Sequence, residues 1–212
     1  MTTLAFEFSS ARRSVALARD GVVLAEAVET GGYRVTNAFG LTEKVLADAM
    51  VLREEIEAVA VGLGPGSYTG VRAAIALAQG WQLARGIQLL GVSSAECLAA
   101  QAQAEKIFGR VNVVIDAQRN EFYVAASEIS AAGRRETGPL QILTAAETRS
   151  RAAEIFFGPA AAVFRPDGNN QFPSAAMLAR LAGGRTDFVP GENLEPIYLR
   201  ETNFVKAPPT RL

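Results

Sequence analysis

Two carboxylates have the placement that most directly implies chemistry. Glu7 follows Leu4-Ala5-Phe6 and Asp116 follows Val113-Val114-Ile115, so each acid closes a short apolar strand. Acids at the ends of the first strands of two lobes face the cleft between them, where they can hold Mg²⁺ and the phosphates of a nucleotide. Each can equally end its strand by accepting backbone N–H groups of the next turn. A glutamate where an aspartate would serve moves the carboxylate by one methylene, which matters where metal geometry is strict. The second candidate is Ala58–Arg72. An apolar run, Val59-Ala60-Val61, enters Gly62-Leu63-Gly64-Pro65-Gly66, and Ser67 or Thr69 then offers an N-cap to an alanine-rich segment that begins near Gly70 and Arg72 and runs to about Arg85. Strand, glycine turn and helix start present free N–H groups and the positive end of a helix dipole. That suits an anion, and equally a tight crossing of two backbones. The spacing does not fit G-x-G-x-x-G, and the lysine of a Walker loop is missing.

Composition removes much other chemistry. The chain has no histidine, so it has no Ser-His-Asp or Cys-His pair, no imidazole ligand for zinc, and none of the commonest general base near neutral pH. Its one cysteine, Cys97, lies in a helical pattern where a small buried apolar role is expected, and no internal disulfide can form. No metal site and no cofactor is expected. A net charge of −1 gives no long-range attraction to nucleic acid. No apolar run of about 18 to 20 residues is present, so no membrane span is expected. The first residues, with Glu7 among them, do not read as a signal peptide, and the cytoplasm is the expected compartment.

The elements that must position these residues read as strands at Leu4–Phe8, Ser14–Ala18 and Val22–Glu29, the last two joined by Asp20-Gly21, a hairpin signal. Loops follow at Gly31-Gly32 and Asn37–Gly40. Leu41, Val45, Ala49 and Leu52 then mark one face of a helix. After the glycine loop and its helix come a strand at Ile87–Val92 and a helix at Ser94–Ala104 capped by Ser93 or Ser94. The opening pattern then returns. Glu7 and Asp116 are 109 residues apart, and at that offset Val15-Ala16-Leu17 falls on Val124-Ala125-Ala126. Duplication is the expectation: a first lobe over 1–108, and a reduced second lobe over 109–212 ending in a frayed Pro208-Pro209 tail. The reduced lobe holds a third strand at Leu140–Leu143, helices at Ala145–Ala153 and Ser174–Ala182, and a strand at Glu154–Gly158.

The helix after the glycine loop is slender. Gly70, Ala73, Ala74, Ala76, Ala78, Gly80 and Ala84 leave small residues on almost every side, with Val71, Ile75, Leu77 and Trp81 between them. One face is expected on its own sheet and another against a partner helix, although alanine also serves helix propensity alone. Trp81 reads as a core or interface anchor.

Val-Gly-Leu-Gly-Pro-Gly-Ser-Tyr-Thr-Gly-Val-Arg (residues 61–72) resembles the signature of the bacterial TsaB (YeaZ) family. So do Leu4–Ser10, Ser14-Val15-Ala16-Leu17, Gly91-Val92-Ser93-Ser94, Ile115-Asp116-Ala117 with Glu121-Phe122-Tyr123, and Pro196-Ile197-Tyr198-Leu199-Arg200. The resemblance implies an α/β fold of the actin-like ATPase (ribonuclease H-like) class in two lobes, the second reduced. It implies a non-catalytic subunit for threonylcarbamoylation of tRNA adenosine 37, paired with a catalytic TsaD-type paralogue that carries a histidine pair. A TsaE-type ATPase joins them, the free protein forms a homodimer, and tRNA is met only through the complex. By analogy the contact surface comprises Leu41, Val45, Ala49, Leu52, Gly70, Ala73, Ala74, Leu77, Ala78 and Trp81. Departures are Glu7-Phe8 in a block where the family usually has Asp, Asp116-Ala117-Gln118 with Arg119 one place late in an Asp-Ala-Arg motif, and no histidine around Arg34–Asn37. They weigh against independent phosphate or metal binding. The competing reading is a stand-alone actin-like ATPase or phosphotransferase using Glu7 and Asp116; a glycoprotease-like hydrolase is disfavoured by the missing histidine.

Overall fold

A computed structural model describes residues 1–31, 37–151, 154–165 and 170–200. The first sheet is built from β1 (Thr2–Glu7), β2 (Arg12–Arg19), β3 (Val22–Thr30), β4 (Ala58–Gly62) and β5 (Gln88–Val92), in the order β3-β2-β1-β4-β5. β2 runs antiparallel to β1 and β3, while β1, β4 and β5 are parallel. Asp20 and Gly21 turn β2 into β3 with φ of 52° and 76°, both left-handed, as a two-residue hairpin turn requires. The sheet is covered on both faces, which is why every residue of β1 is buried. Leu4, Phe6 and Phe8 share a core with Leu41 and Val45 of α1 (Ala38–Ala49) and Val71, Ala74, Ile75 and Ala78 of α2 (Tyr68–Arg85). Ala5, Ala16, Ala18 and Ala60 face the other way, against α5 (Ala175–Ala182). Small residues on that face let α5 lie close. Strand alternation puts Glu7 on the same side as Ala5.

The second sheet has β6 (Gly109–Asp116), β7 (Glu121–Ser130), β8 (Gly133–Glu136), β9 (Gln141–Thr144) and β10 (Ile155–Phe157), in the order β10-β6-β7-β8, with β9 also pairing β7. β6 is antiparallel to β7 and parallel to β10. This repeats the 3-2-1-4 part of the first sheet, with β8 and β9 sharing the third position and, among the described residues, no counterpart of β5. Order 3-2-1-4-5 with only the second strand reversed is the ribonuclease H-like arrangement of actin-like proteins, so the fold is the expected one. One detail of the repeat differs. Phe6 lies opposite Val15, and Ile115 opposite Tyr123. Val15 therefore corresponds to Tyr123, not Val124, because the β6–β7 turn is one residue shorter; a slip of one would have reversed the faces of the strand. α3 (Ser94–Ala104) joins the lobes: Leu98 and Ala102 pack on the second sheet, while Cys97 and Ala100 belong to the core under α5.

The packing ties residues on the two sides of 108/109 together. After β10 the chain returns to the first lobe. Ala175 N–H donates to Ser14 Oγ (2.8 Å), α5 covers the first sheet, Val189 bridges Leu89, and Leu194 is buried in the first core. Sequence order alone assigns α5 to the second lobe, because nothing in its local pattern says which sheet it covers. α1 begins at Ala38, capped by Asn37, and stops at Met50, whose φ is 53°. Leu52 is consequently extended chain and not helix. α4 (Ala145–Arg149) is shorter than expected. The readings on Gly32 and Arg34 and on the Pro208-Pro209 tail lie outside the described residues.

Candidate functional site

The glycine loop is a backbone crossing. Ser67, not Thr69, caps α2, its Oγ accepting from Gly70 N–H at 3.3 Å, while Thr69 is exposed in the first turn. Ser67 N–H donates to Ser9 O (2.6 Å), and Ser94 N–H to Gly64 O (2.7 Å). A Cβ at Gly66 or Gly70 would fall 2.2 Å from Ser9 O or 2.0 Å from Phe8 O, so the loop accepts the end of β1 only as glycine. Pro65 is buried inside this contact. Arg72 points outward, its guanidinium 4.9 Å from the centre of the Tyr68 ring.

Glu7 is sealed beneath the loop. It is fully buried, with Ser9 N–H donating to Oε1 (2.7 Å) and Ser94 Oγ to Oε2 (3.0 Å). Burial pushes its carboxyl above the ordinary value of 4.5, opposed by those hydrogen bonds. Gly62 makes the space, since a Cβ there would lie 2.0 Å from Oε2. Asp116 sits elsewhere, exposed on a cleft of about 480 Å³ between the lobes. Ser9, Ser10, Ala11, Gly66, Ser67 and Tyr68 line it on one side, and Ile115, Asp116, Ala117, Gln118 and Tyr123 on the other. Asp116 Oδ1 accepts Gln118 N–H (2.7 Å) and Oδ2 accepts Gln118 Nε2 (3.0 Å). Glu7 does not line this cleft, and each acid binds the turn after its strand. Among the described residues no group of three or more His, Cys, Asp or Glu is placed to hold a metal ion. Glu7 is enclosed, and the loop N–H groups of Ser67 and Gly70 donate to protein acceptors.

The outward surface of the first lobe differs from the expected one. Leu41, Val45, Gly70, Ala74 and Ala78 lie in the lobe's own interior and cannot meet a partner. Ala49, Ala73, Leu77 and Trp81 are half-buried, and Leu52 is exposed beyond α1. The exposed face of α2 is Tyr68, Arg72, Ala76, Gly80 and Ala84, an i,i+4 row with Leu83 beside it at 91% exposure. Between α1 and α2 runs a groove of about 480 Å³ lined by Phe39, Thr42, Glu43, Arg53, Glu54, Ala76, Leu77, Gly80, Trp81, Ala84 and Arg85. Phe39 stands 75% exposed at its edge. Arg53 pairs with Glu43 and Arg85 with Glu54 along the rim. The groove thus has a floor of Ala and Gly, apolar walls and a charged rim. The i,i+4 spacing is visible in the sequence and identifies this face once Val71, Ala74, Ile75 and Ala78 are assigned inward.

Known proteins share much of this chain. The tRNA threonylcarbamoyladenosine biosynthesis protein TsaB of Escherichia coli (strain K12) is 34% identical over 125 residues, 59% of this chain and 54% of that protein. The structure of YeaZ from Pseudomonas aeruginosa superposes with a TM-score of 0.79 at 30% identity, covering 93% of this chain and 99% of that one. The chain belongs to the TsaB/YeaZ family. TsaB of Bacillus subtilis (strain 168) is 32% identical over 127 residues, 58% of this chain and 53% of that protein. This TsaB/YeaZ chain therefore spans about half the length of these curated relatives. The family model described as "TsaD: tRNA N6-adenosine threonylcarbamoyltransferase" matches residues 34–148, just over half of the chain. That span runs through α1, the glycine loop and α2, and takes in the second of the two acid-closed hairpins. Among the described residues no helix is long and apolar enough to cross a membrane.

Proposed function

We propose that this chain is a non-catalytic subunit for threonylcarbamoylation of tRNA adenosine 37, and that it seats a catalytic TsaD-type paralogue on the α1–α2 groove. The observation that carries the reading is the groove itself, an apolar trough with exposed Phe39 at its edge, walled by Leu77 and Trp81 and floored by Ala76, Gly80 and Ala84. The enclosure of Glu7 supports it from the other side, because a phosphotransferase using both acids would need Glu7 open to the cleft that exposes Asp116. In this reading a TsaE-type ATPase joins the pair, tRNA is held by the complex, and the free chain dimerises through the same face. The cytoplasm, where tRNA is modified, is its compartment.

The test is co-expression with the TsaD-type paralogue, size-exclusion chromatography, and measurement of threonylcarbamoyladenosine in tRNA. The expected result is no product from the chain alone, stimulation on mixing, and loss of co-elution in Ala76→Arg with the melting temperature retained. Product made by the chain alone, or a folded Ala76→Arg that still co-elutes, overturns the proposal. Arginine at Ala74 or Ala78 is unsuitable, because those side chains are fully buried in the lobe.

A further inference from the structure

We infer that Pro196–Arg200 is a catch between the lobes, rooted in the first and holding the second, whose release lets the cleft widen. The root is firm. Leu194 is buried in the first core, and Ile197 N–H donates to Leu63 O (2.9 Å), tying the segment to the glycine loop. Tyr198 then stacks on Tyr68, with ring centres 5.4 Å apart and planes 24° apart. Two residues on, Arg200 Nη2 donates to Ala117 O (3.1 Å) and to the Glu121 carboxylate. Tyr68 and Ala117 are opposite lips of the cleft, so the segment connects one lip to the other.

The two ends of the catch have different strengths. Its root is made by burial and a backbone hydrogen bond. Its far end is one guanidinium, and both Arg200 and Glu121 are about one-third exposed, so the pair is readily exchanged for water. What Arg200 grips is itself under strain. Gln118, Arg119 and Asn120 are consecutive left-handed residues with φ of 65°, 58° and 59°, a conformation costly without glycine. Ala117 and Glu121, the partners of Arg200, bracket that turn. Away from this segment, α3 packs into both cores, which makes it the fixed edge about which the lobes can separate.

The experiment is pulsed electron spin resonance on the full chain, with nitroxides at Ala47→Cys on α1 and Glu128→Cys on β7; both positions are exposed, and buried Cys97 stays unlabelled. Arg200→Ala and Tyr198→Ala are each expected to lengthen and broaden the interlobe distance, and the exchange of Arg200→Glu with Glu121→Arg to narrow it again. Amide exchange gives a second readout. Tyr198 stacks on a residue of the first lobe, yet Tyr198→Ala should speed exchange at Ala117 and Glu121 of the second by about tenfold. Glu121→Gln serves where a stronger variant fails to fold. Folded variants with unchanged distances overturn the inference, and so does a Tyr198→Ala that leaves the turn amides at their original rate.

Discussion

Replacing Gly80 by alanine should stabilise the free chain and weaken its pairing, two effects of one methyl group. Gly80 lies well inside α2, exposed, and a Cβ built on it meets nothing within 4 Å. Neither burial nor a clash contributes, so the change reduces to helix propensity, where alanine is favoured over glycine by about 0.8–1.0 kcal/mol in a helix interior. For a chain of this size that raises the melting temperature by about 2–4 °C. The same methyl stands on the floor of the groove, where a partner backbone would approach. Overpacking a fitted contact costs about 1–3 kcal/mol, which weakens the pair by roughly 5- to 150-fold. Urea and thermal denaturation of the isolated chain measure the first effect, and titration calorimetry against the TsaD-type paralogue the second. Concentration separates a further case: if copies of the chain pair through α2, melting depends on protein concentration, and the gain from alanine shrinks as concentration rises. A less stable Gly80→Ala in dilute solution would show that the space above Gly80 is filled in the free chain. A stabilised variant with unchanged affinity would remove the groove from the interface.

Gly70→Ala is the same chemical change in the same helix with the opposite sign, because its Cβ would lie 2.0 Å from Phe8 O, a backbone atom that cannot rotate away; a loss of at least about 1–3 kcal/mol in urea denaturation is expected, and neutrality would refute the crossing. Glu7→Gln should flatten the dependence of stability on pH. The folded state holds the Glu7 proton more tightly than the unfolded chain, so stability falls as pH rises from about the ordinary value of 4.5 through the raised one. The amide carries no charge, its oxygen still accepts Ser9 N–H, and its NH2 can donate to Ser94 Oγ once that hydroxyl turns to accept, so its advantage over the parent should grow across that interval, with a slope approaching about 1.4 kcal/mol per pH unit. Parallel denaturation profiles for the two proteins would contradict an enclosed carboxyl.

Much of the fold was legible because its signals are local. Asp20-Gly21 names its own turn, Ser67 and Ser93 cap the helices that follow them, and the apolar runs at Leu4–Phe6, Val59–Val61 and Val113–Ile115 are strands. The inward face of α2 was harder to read. Alanine and glycine fall on all its sides, so periodicity alone does not separate Ala74 and Ala78 from Ala76 and Gly80. The fate of Glu7 was written in β1 and is recovered by alternation: bulky Leu4, Phe6 and Phe8 take one face, which leaves Glu7 with Ala5 on the face that α5 covers. The return of α5 to the first sheet was not legible, since its apolar face would suit either lobe. The one-residue difference between the two hairpin turns is invisible to an alignment that matches strands by their apolar pattern.

Why a loop of this composition makes a crossing and not a cradle follows from its donors. A phosphate at the start of α2 would need the N–H groups of the loop and first turn, and those of Ser67 and Gly70 already donate to Ser9 O and Ser67 Oγ. To free Ser67 N–H, the chain after β1 would have to withdraw from a 2.6 Å contact, and Ser9 N–H is itself bonded to the enclosed carboxyl of Glu7. Glu7 in turn fits only because Gly62 has no side chain, and it is held from the far side by Ser94 at the start of α3. Opening the loop to an anion would therefore disturb the acid, its packing against Gly62 and the start of the helix that joins the lobes in a single step. Glycines that elsewhere expose backbone to a ligand here let three segments of one lobe meet: the end of β1, the loop before α2 and the start of α3.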